Sequence, residues 1–248
     1  MDFKIENNIV VLQETDSTNN YANRQLAESE VQEGTVFLAY SQKNGRGQIN
    51  NQWESEAGKN LTFSLVLKPG FLEITDQFMI SKVVTLGIYS SLKNYVDNLK
   101  IKWPNDIYAG DRKLGGILIE NSIMSGQITS SVIGIGLNIN QEKFISNAPN
   151  PISLKQLTGS EFELMPLLHG IIENIISFYA LLKNDNFAVV NKLFHEKLYR
   201  FGEEHRYKSE NAEFTGKIIG VNEIGQLLIK NENGDLRQFH FKEVEFIL

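Results

Sequence analysis

A polar, glycine-containing loop between two strand-like runs places the strongest limit on the fold of this chain. The loop spans Ser41–Trp53, follows the apolar run Val36–Tyr40 and leads into a second apolar run, Leu61–Leu67. Gly45 and Gly47 let its backbone approach a bound group, because glycine has no Cβ. The loop lacks a third glycine and leads into a strand, so it is not a dinucleotide fingerprint, which must open a helix. No P-loop motif occurs in the chain.

The same loop carries charge that suits an anion. Lys43 and Arg46 flank the first glycine, and successive backbone N–H groups in such a loop form a concavity that favours anions. An arginine adds a forked donor to a phosphate or carboxylate. Glycine and asparagine also mark ordinary surface loops. The chemistry of the loop alone therefore leaves both interpretations open, an anion site and a plain connection between strands.

Composition excludes several classes of protein. The 248 residues are 42% hydrophobic and 22% charged, which is typical of a globular protein with one large domain or a main and a small one. The chain has no cysteine and four scattered histidines, so neither a disulfide framework nor a zinc site is expected. The net charge is −6, whereas proteins that bind nucleic acid usually carry a basic surface patch. Without a signal peptide or a membrane-length apolar run, a cytoplasmic protein is expected.

Periodicity predicts helices and strands in a mixed order. Helical spacing of apolar residues predicts helices over Phe78–Val96, Glu163–Leu182 and Phe187–Phe201. After Gly202 the pattern changes to short strands separated by turns, which indicates a small all-β barrel of about 45 residues. Further strands are predicted at Phe3–Ile5, Ile9–Leu12, Ile101–Trp103, Leu114–Asn121 and Ile128–Ile139, the last two joined by a Ser125-Gly126 turn, and a linker at Asn140–Pro151.

Five short motifs in one order resemble the biotin–protein ligase family over essentially the whole chain. They are Asp16-Ser17-Thr18-Asn19, Gly45-Arg46-Gly47-Gln48 with Trp53, Lys102-Trp103-Pro104-Asn105-Asp106, Lys113 to Glu120 with Gly115-Gly116, and Gly134 to Asn140. Two positions depart from the pattern. Gln48 stands where many members have a second basic residue, and Asn50 where many have a closing glycine. In this family the loop holds the reaction intermediate, so both departures bear on how tightly it would be bound.

The resemblance implies an α+β fold. Its catalytic domain, over residues 1–200, would have a mixed sheet flanked by helices, of the class II aminoacyl-tRNA-synthetase-like or biotin–lipoate ligase-like type. A small SH3-like β-barrel would occupy residues 203–248. The first motif comes as early as Asp16, which predicts the enzyme-only form that lacks the N-terminal DNA-binding domain of some members.

The resemblance also implies an activity, a biotin–protein ligase that uses ATP and Mg²⁺. Biotin would be activated as biotinyl-5'-adenylate and passed to a lysine of a biotin carboxyl carrier protein, by a monomer or a homodimer. Lys102 and Arg46 are the catalytic candidates. The resemblance assigns no metal ligand, and Asp106 is the one carboxylate considered for that role. The residues expected to bind biotin or the adenylate are Ser17, Thr18, Asn19, Gln42, Gly45, Arg46, Gly47, Gln48, Trp53, Lys102, Gly115, Gly116 and Asn138.

Without the resemblance, these residues have ordinary structural interpretations. Ser17 and Thr18 are suited to cap a helix, Lys102 to carry a solvated charge at a strand end, and the paired glycines to form bulges. Two other functions also remain open. The nearer one is a lipoate–protein ligase or acyl transferase of the same fold, which also acts on a carboxylic acid and a carrier lysine. The other is a non-catalytic ligand sensor or transcription regulator, which the acidic charge argues against.

Overall fold

Two sheets and five helices make up the fold of the described residues. The structure, a computed structural model, describes residues 8–48, 51–146, 150–210 and 212–247. The predicted strand at Phe3–Ile5 and the departure at Asn50 lie outside these ranges. The helices are α1 Thr18–Glu28, α2 Phe78–Leu92, α3 Leu154–Thr158, α4 Leu164–Lys183 and α5 Phe187–Lys197.

The larger sheet has seven strands in the order β1-β2-β3-β7-β6-β5-β4. Only β1 and β2, which α1 connects, run parallel; the other neighbours in this sheet are antiparallel. A parallel pair needs a crossover connection, whereas antiparallel neighbours can be joined by short turns. The strands are β1 Ile9–Thr15, β2 Val36–Gln42, β3 Leu61–Leu67, β4 Leu99–Lys102, β5 Asp106–Ala109, β6 Arg112–Met124 and β7 Gln127–Leu137. The sheet is therefore mixed, as predicted.

Helices cover both faces of this sheet. On one face α2 packs between the sheet and α4, and every residue of α2 from Met79 to Ile88 is buried. A helix that is apolar all round belongs in such an interior position. On the other face α1 buries Ala22 against Phe37, Val66 and Val132. Because both faces are covered, all seven residues of β3 are buried.

The second sheet is antiparallel and has five strands in the order β11-β10-β9-β8-β12. Its strands are β8 Glu204–Ser209, β9 Ala212–Val221, β10 Leu227–Asn231, β11 Leu236–Phe239 and β12 Glu245–Phe246. This arrangement confirms the predicted fold class, a mixed sheet with helices followed by an SH3-like part. Residues of both sheets belong to one continuous core, and the division at residues 200–203 stays a prediction.

Some element boundaries differ from the predictions. Helix α5 ends at Lys197, not at Phe201, because Leu198 pairs with Ile101 of β4 and Arg200 has a positive φ of 61°. Strand β8 was not predicted, since its sequence EHRYKS has no apolar run; Tyr207 alone supplies a large buried side chain. Helix α4 is long and apolar enough to span a membrane, judged by length and composition alone. Its apolar stripe is buried against α2, which accounts for that hydropathy.

The contact between α2 and α4 yields a stability prediction. A Cβ added at Gly87 of α2 would lie 2.6 Å from the backbone Cα of Ile175 in α4, so the two helices would have to separate. Gly87→Ala should lower the free energy of unfolding by about 1–3 kcal/mol, the usual cost of overpacking. Urea denaturation followed by circular dichroism measures this.

The matched control for that substitution is Gly170→Ala in α4. An added Cβ there meets no atom within 4 Å, so alanine should raise the free energy of unfolding by up to about 1 kcal/mol through its better helix propensity. Equal effects of the two substitutions would contradict the close helix contact at Gly87.

Candidate functional site

A cavity of about 280 Å³ opens where the start of α1, the Ser41–Trp53 loop and the glycine-bearing strands β6 and β7 meet. Its size is near the lower end of small-molecule pockets. Phe241, from the second sheet, also contributes to the wall. Most of the residues predicted to bind a ligand line this cavity: Ser17, Thr18, Asn19, Gln42, Arg46, Gly47, Gln48, Trp53, Lys102 and Gly116. Residues separated by about 100 positions in the sequence therefore share one surface.

Three predicted residues are placed differently, because the described cavity wall does not include Gly45, Gly115 or Asn138. A Cβ on Gly45 would lie 2.4 Å from the Trp53 carbonyl oxygen, and one on Gly115 would lie 2.4 Å from Leu137 Cδ2. Asn138 donates from Nδ2 to the Ile152 carbonyl at 3.2 Å, and its Oδ1 is buried with no hydrogen-bond partner in the described structure. The two glycines allow close backbone packing behind the wall. The direct binding roles of these three residues stay predictions.

The start of α1 is organised by a residue from β2. Ser17 occupies the N-cap position, but its hydroxyl does not cap the helix. The Thr18 N–H instead donates to Gln42 Oε1 at 2.7 Å. A free N–H of the first turn needs such an acceptor. The structure thus supports the predicted helix start, while the capping group comes from a residue 24 positions further along the chain.

Asn19 ties α1 to the sheet. Its Oδ1 accepts from Ser64 Oγ at 2.6 Å, and its Nδ2 donates to Glu120 Oε2 at 2.8 Å and to the Leu118 carbonyl at 3.2 Å. The close approach depends on Gly134, since a Cβ there would lie 2.4 Å from Asn19 Oδ1. Asn19 is 2% exposed. In this structure the Asn19 side chain therefore fixes the start of α1 against β3 and β6 by hydrogen bonds to other residues of the protein.

The loop Ser41–Trp53 is fastened to the sheet by an ion pair. Arg46 Nη2 lies 2.6 Å from Glu120 Oε1, and Nη1 donates to Asn20 Oδ1 at 2.6 Å. The Trp53 ring lies against β7, where a Cβ on Gly136 would be 2.3 Å from it. Its indole N–H is buried and has no partner in the described part of the chain. This loop therefore brings a cation and an aromatic ring to the cavity.

Lys102 is partly buried at the cavity wall. Its ammonium donates to Tyr108 Oη at 3.1 Å and lies 4.5 Å from the centre of the Tyr108 ring. Burial lowers the pKa of Lys102 below its ordinary value, and nearby Asp106 partly offsets this effect. Its neighbours Ile101 and Trp103 are buried on the opposite side, as the alternation of a strand predicts.

Sequence reasoning missed a second amine in the cavity. Lys113 lines the wall and pairs with Asp106 at 2.8 Å. A Cβ on Gly116 would lie 3.3 Å from Lys113 Nζ, so the glycine leaves room for the lysine. The sequence signal was available, because Lys113 stands two positions before the Gly115-Gly116 pair in a strand that flanks the cavity. On this signal Lys113 was as good a candidate for a ligand-binding cation as Lys102.

The described residues contain no group of three or more metal-ligating side chains. Asp106 is the carboxylate of the cavity wall, and Lys113 holds it. What the cavity offers is hydroxyl and amide groups, two lysines, an arginine and three aromatic rings, those of Trp53, Tyr108 and Phe241. These groups suit a small ring system that carries hydrogen-bonding groups and an acidic group.

The contact between Trp53 and Gly136 can be tested by substitution. Gly136→Ala should push the Trp53 ring out of the cavity wall, because the added methyl cannot share its space. In a Trp103→Phe background Trp53 is the single tryptophan, so acrylamide quenching of its fluorescence should increase. Gly170→Ala in the same background is the control and should leave quenching unchanged. A folded Gly136→Ala variant with unchanged quenching would contradict this placement of the ring.

Comparisons with known proteins agree on one family. Residues 11–138 match the Biotin/lipoate A/B protein ligase family. The chain is 28% identical over 244 residues to the bifunctional ligase/repressor BirA of Bacillus spizizenii, covering 95% of this chain and 73% of that protein. It is 29% identical over 234 residues to the biotin–[acetyl-CoA-carboxylase] ligase of Paracoccus denitrificans, covering 90% and 95%.

A solved structure extends the likeness to the whole fold. The biotin protein ligase of Aquifex aeolicus in complex with biotin and ATP superposes with a TM-score of 0.79 at 28% identity, covering 98% of each chain. The family match covers more than half of the chain and includes the N-terminal segment of α1, the Ser41–Trp53 loop and strands β5 to β7 that build the cavity. The chain therefore belongs to the biotin/lipoate A/B protein ligase family.

Proposed function

We propose that this protein is a biotin–protein ligase that joins biotin to a lysine of a biotin carboxyl carrier domain through biotinyl-5'-adenylate. The observation that carries the proposal is the cavity itself. It combines the polar start of α1, the cations Arg46, Lys102 and Lys113, and the Trp53 ring. The fold around it is similar to that of an enzyme solved with biotin and ATP.

The first step requires two anions to meet. A carboxylate oxygen of biotin attacks the α-phosphorus of ATP, the bond to the pyrophosphate oxygen breaks, and biotinyl-adenylate forms. Preorganised cations and N–H donors lower the energy of such a transition state because they stabilise the charge that develops in it. Lys102 and Lys113 supply two ammonium groups at the cavity wall, and Arg46 supplies a guanidinium group from the loop. Arg46 reaches a substrate anion when that anion takes the place of Glu120.

The uncharged part of biotin fits the polar end of α1. Its ureido ring has both N–H and C=O groups, and the hydroxyls of Ser17 and Thr18 can donate and accept. Gln42 accepts from Thr18 through Oε1, which leaves its NH₂ group to donate. Asn19 acts by holding α1 against Ser64 and Glu120. This division of roles follows from the hydrogen bonds that each side chain already makes.

The nucleotide is assigned to the side of the cavity that Trp53 covers. A flat indole ring is suited to stack on adenine, and its unpartnered N–H can donate. Gln48, from the same loop, also lines the cavity. In the second step the acceptor lysine amine attacks the carbonyl carbon of the mixed anhydride, and AMP leaves.

Mg²⁺ is proposed to arrive on the phosphates of ATP. It usually binds through substrate phosphates and one or two carboxylates, so the donor set of the cavity fits even without a carboxylate cluster. Asp106 would hold it in exchange for Lys113, its present partner. When bound, the ion neutralises charge on the polyphosphate.

The acceptor is proposed to dock by strand pairing at a sheet edge. Strand β1 is the outermost strand next to the loop and exposes Val10 and Val11, at 40% and 56%. An exposed edge of this kind can receive an extended segment of another chain. The same edge is available to a hairpin of the carrier domain and to a second copy of this chain.

The first prediction for this function concerns the two lysines. Lys102→Ala and Lys113→Ala should each lower biotin-dependent ATP–pyrophosphate exchange by about a hundredfold or more, the usual cost of removing a group that stabilises transition-state charge. Lys43→Ala is the matched control. Lys43 belongs to the same loop as Arg46 but pairs with Glu14 at an exposed position, so exchange should change less than about threefold. Normal exchange in either cavity variant would remove that lysine from the mechanism.

The complete reaction is tested on a carrier domain. The protein is incubated with ATP, Mg²⁺ and a biotin carboxyl carrier domain, with biotin in one arm and lipoate in the other, and the carrier is weighed by mass spectrometry. The proposal expects the mass of one biotinyl group on the carrier, lost when its acceptor lysine is replaced by arginine. A lipoyl adduct without a biotinyl adduct would overturn the assignment to biotin, and an unmodified carrier in both arms would overturn the ligase activity.

A further inference from the structure

The Lys102 ammonium lies close to two aromatic rings, and one of them comes from the second sheet. Its ammonium lies 4.5 Å from the centre of the Tyr108 ring and 5.0 Å from the centre of the Phe246 ring. Tyr108 belongs to β5, the neighbour of β4, whereas Phe246 belongs to β12 near the end of the chain. Lys102 and Phe246 are 144 positions apart in the sequence, so their contact exists only because the two sheets pack together.

Phe246 is itself held firmly in place. It pairs with Tyr207 in the β12–β8 ladder, and its ring meets the Tyr207 ring edge-on at 5.4 Å and the Tyr199 ring at 6.2 Å. The next carbonyl, that of Ile247, accepts from Arg200 Nη1 at 2.8 Å. Tyr207 is fully buried, and Tyr199 and Arg200 are less than 9% exposed. Strand β12 has only two residues, and these contacts add to its short ladder.

We propose that Phe246 is a positioning residue for the reaction, holding the Lys102 ammonium in the cavity by a cation–π contact. The inference rests on the proposed function, because it acts through the role given to Lys102 there. Strand β12 then forms part of the reaction site, and the second sheet does more than cover the first.

The physical reason lies in the cost of burying an ammonium group. An ammonium group removed from water loses hydration energy, and the negative face of an aromatic ring replaces part of it. Tyr108 also accepts a hydrogen bond from Lys102, so Phe246 is the contact that holds the other side. Without the ring the charged form loses stabilisation, which moves the pKa of Lys102 further down. The charged and titratable groups around Lys102 are Asp106, Tyr108, Asp111, Lys113 and Arg200.

The test replaces the ring and keeps apolar volume. Phe246→Leu should slow biotin-dependent ATP–pyrophosphate exchange by about three- to thirtyfold, the range that a desolvated cation–π contact spans. Because Lys102 acts as a cation, the rate should decline with rising pH as it deprotonates. That alkaline limb should move to lower pH by about half a unit to one and a half units in the variant. Phe246→Tyr keeps a ring and should restore both the rate and the profile.

A second readout does not depend on activity. Lys102 is acetylated with a water-soluble N-hydroxysuccinimide ester, and its extent of modification is followed by peptide mass spectrometry across pH. Since only the neutral amine reacts, Phe246→Leu should shift the Lys102 reaction curve to lower pH. Phe214→Leu is the matched control. Phe214 also packs on the Tyr207 ring, at 5.7 Å, but its cation is Arg237, so neither readout should change.

The outcomes separate this inference from the proposed function. Wild-type protein without biotin-dependent exchange would refute the proposed function, whatever the acetylation shows. Active wild-type protein with both readouts unchanged in Phe246→Leu would overturn the role of Phe246. Slower exchange in Phe246→Leu with an unshifted Lys102 acetylation curve would mean that Phe246 contributes only packing, and it would overturn the inference. A Phe246→Tyr variant that does not recover the exchange rate would overturn it in the same way. Melting temperatures are compared first, and Phe246→Met replaces the leucine variant if that variant does not fold.

Discussion

The close approach of side chains to strand β7 is the constraint on which the site depends. Gly134 and Gly136 stand on this strand, and a Cβ on either would lie within 2.4 Å of Asn19 or of the Trp53 ring. Without those methyl groups, the start of α1 and the loop Ser41–Trp53 can both come into contact with the sheet. Asn19 then makes hydrogen bonds to β3 and β6, and the two segments become walls of one cavity.

Two cations of the cavity pair with carboxylates, and the third lies against aromatic rings. Arg46 is paired with Glu120, Lys113 with Asp106, and Lys102 with the rings of Tyr108 and Phe246. Both ion pairs are partly exposed, with side chains between 22% and 40% exposed. In the proposed function a substrate anion takes the place of Glu120. The partner of Lys102 carries no net charge, so this lysine can bind an anion without first giving up a carboxylate.

The second sheet is in direct contact with the motif Lys102-Trp103-Pro104. Trp103 Nε1 donates to the Gly225 carbonyl at 2.9 Å, in the turn between β9 and β10. The Phe241 ring meets Trp103 edge-on at 6.3 Å and lines the cavity. Together with Phe246 these contacts place residues of the second sheet on both sides of one short motif. A substitution in this sheet can thus alter chemistry that the larger sheet carries out.

Local sequence patterns determined much of this protein. Apolar runs located β1 to β3, and helical spacing located α2 and α4. The Ser125-Gly126 turn was expected between two strands that do pair, and the order of five motifs indicated the family. These features depend on neighbours within a few positions, so they can be read without the fold. The end of α5 and the strand β8 could not be read in that way. Tertiary structure decided which groups meet, since Arg46 and Glu120 are 74 positions apart and Lys102 meets Phe246 only across two sheets. Hydrogen bonds, ion pairs and ring contacts between distant residues follow from packing, and no local pattern encodes which partner each side chain will find.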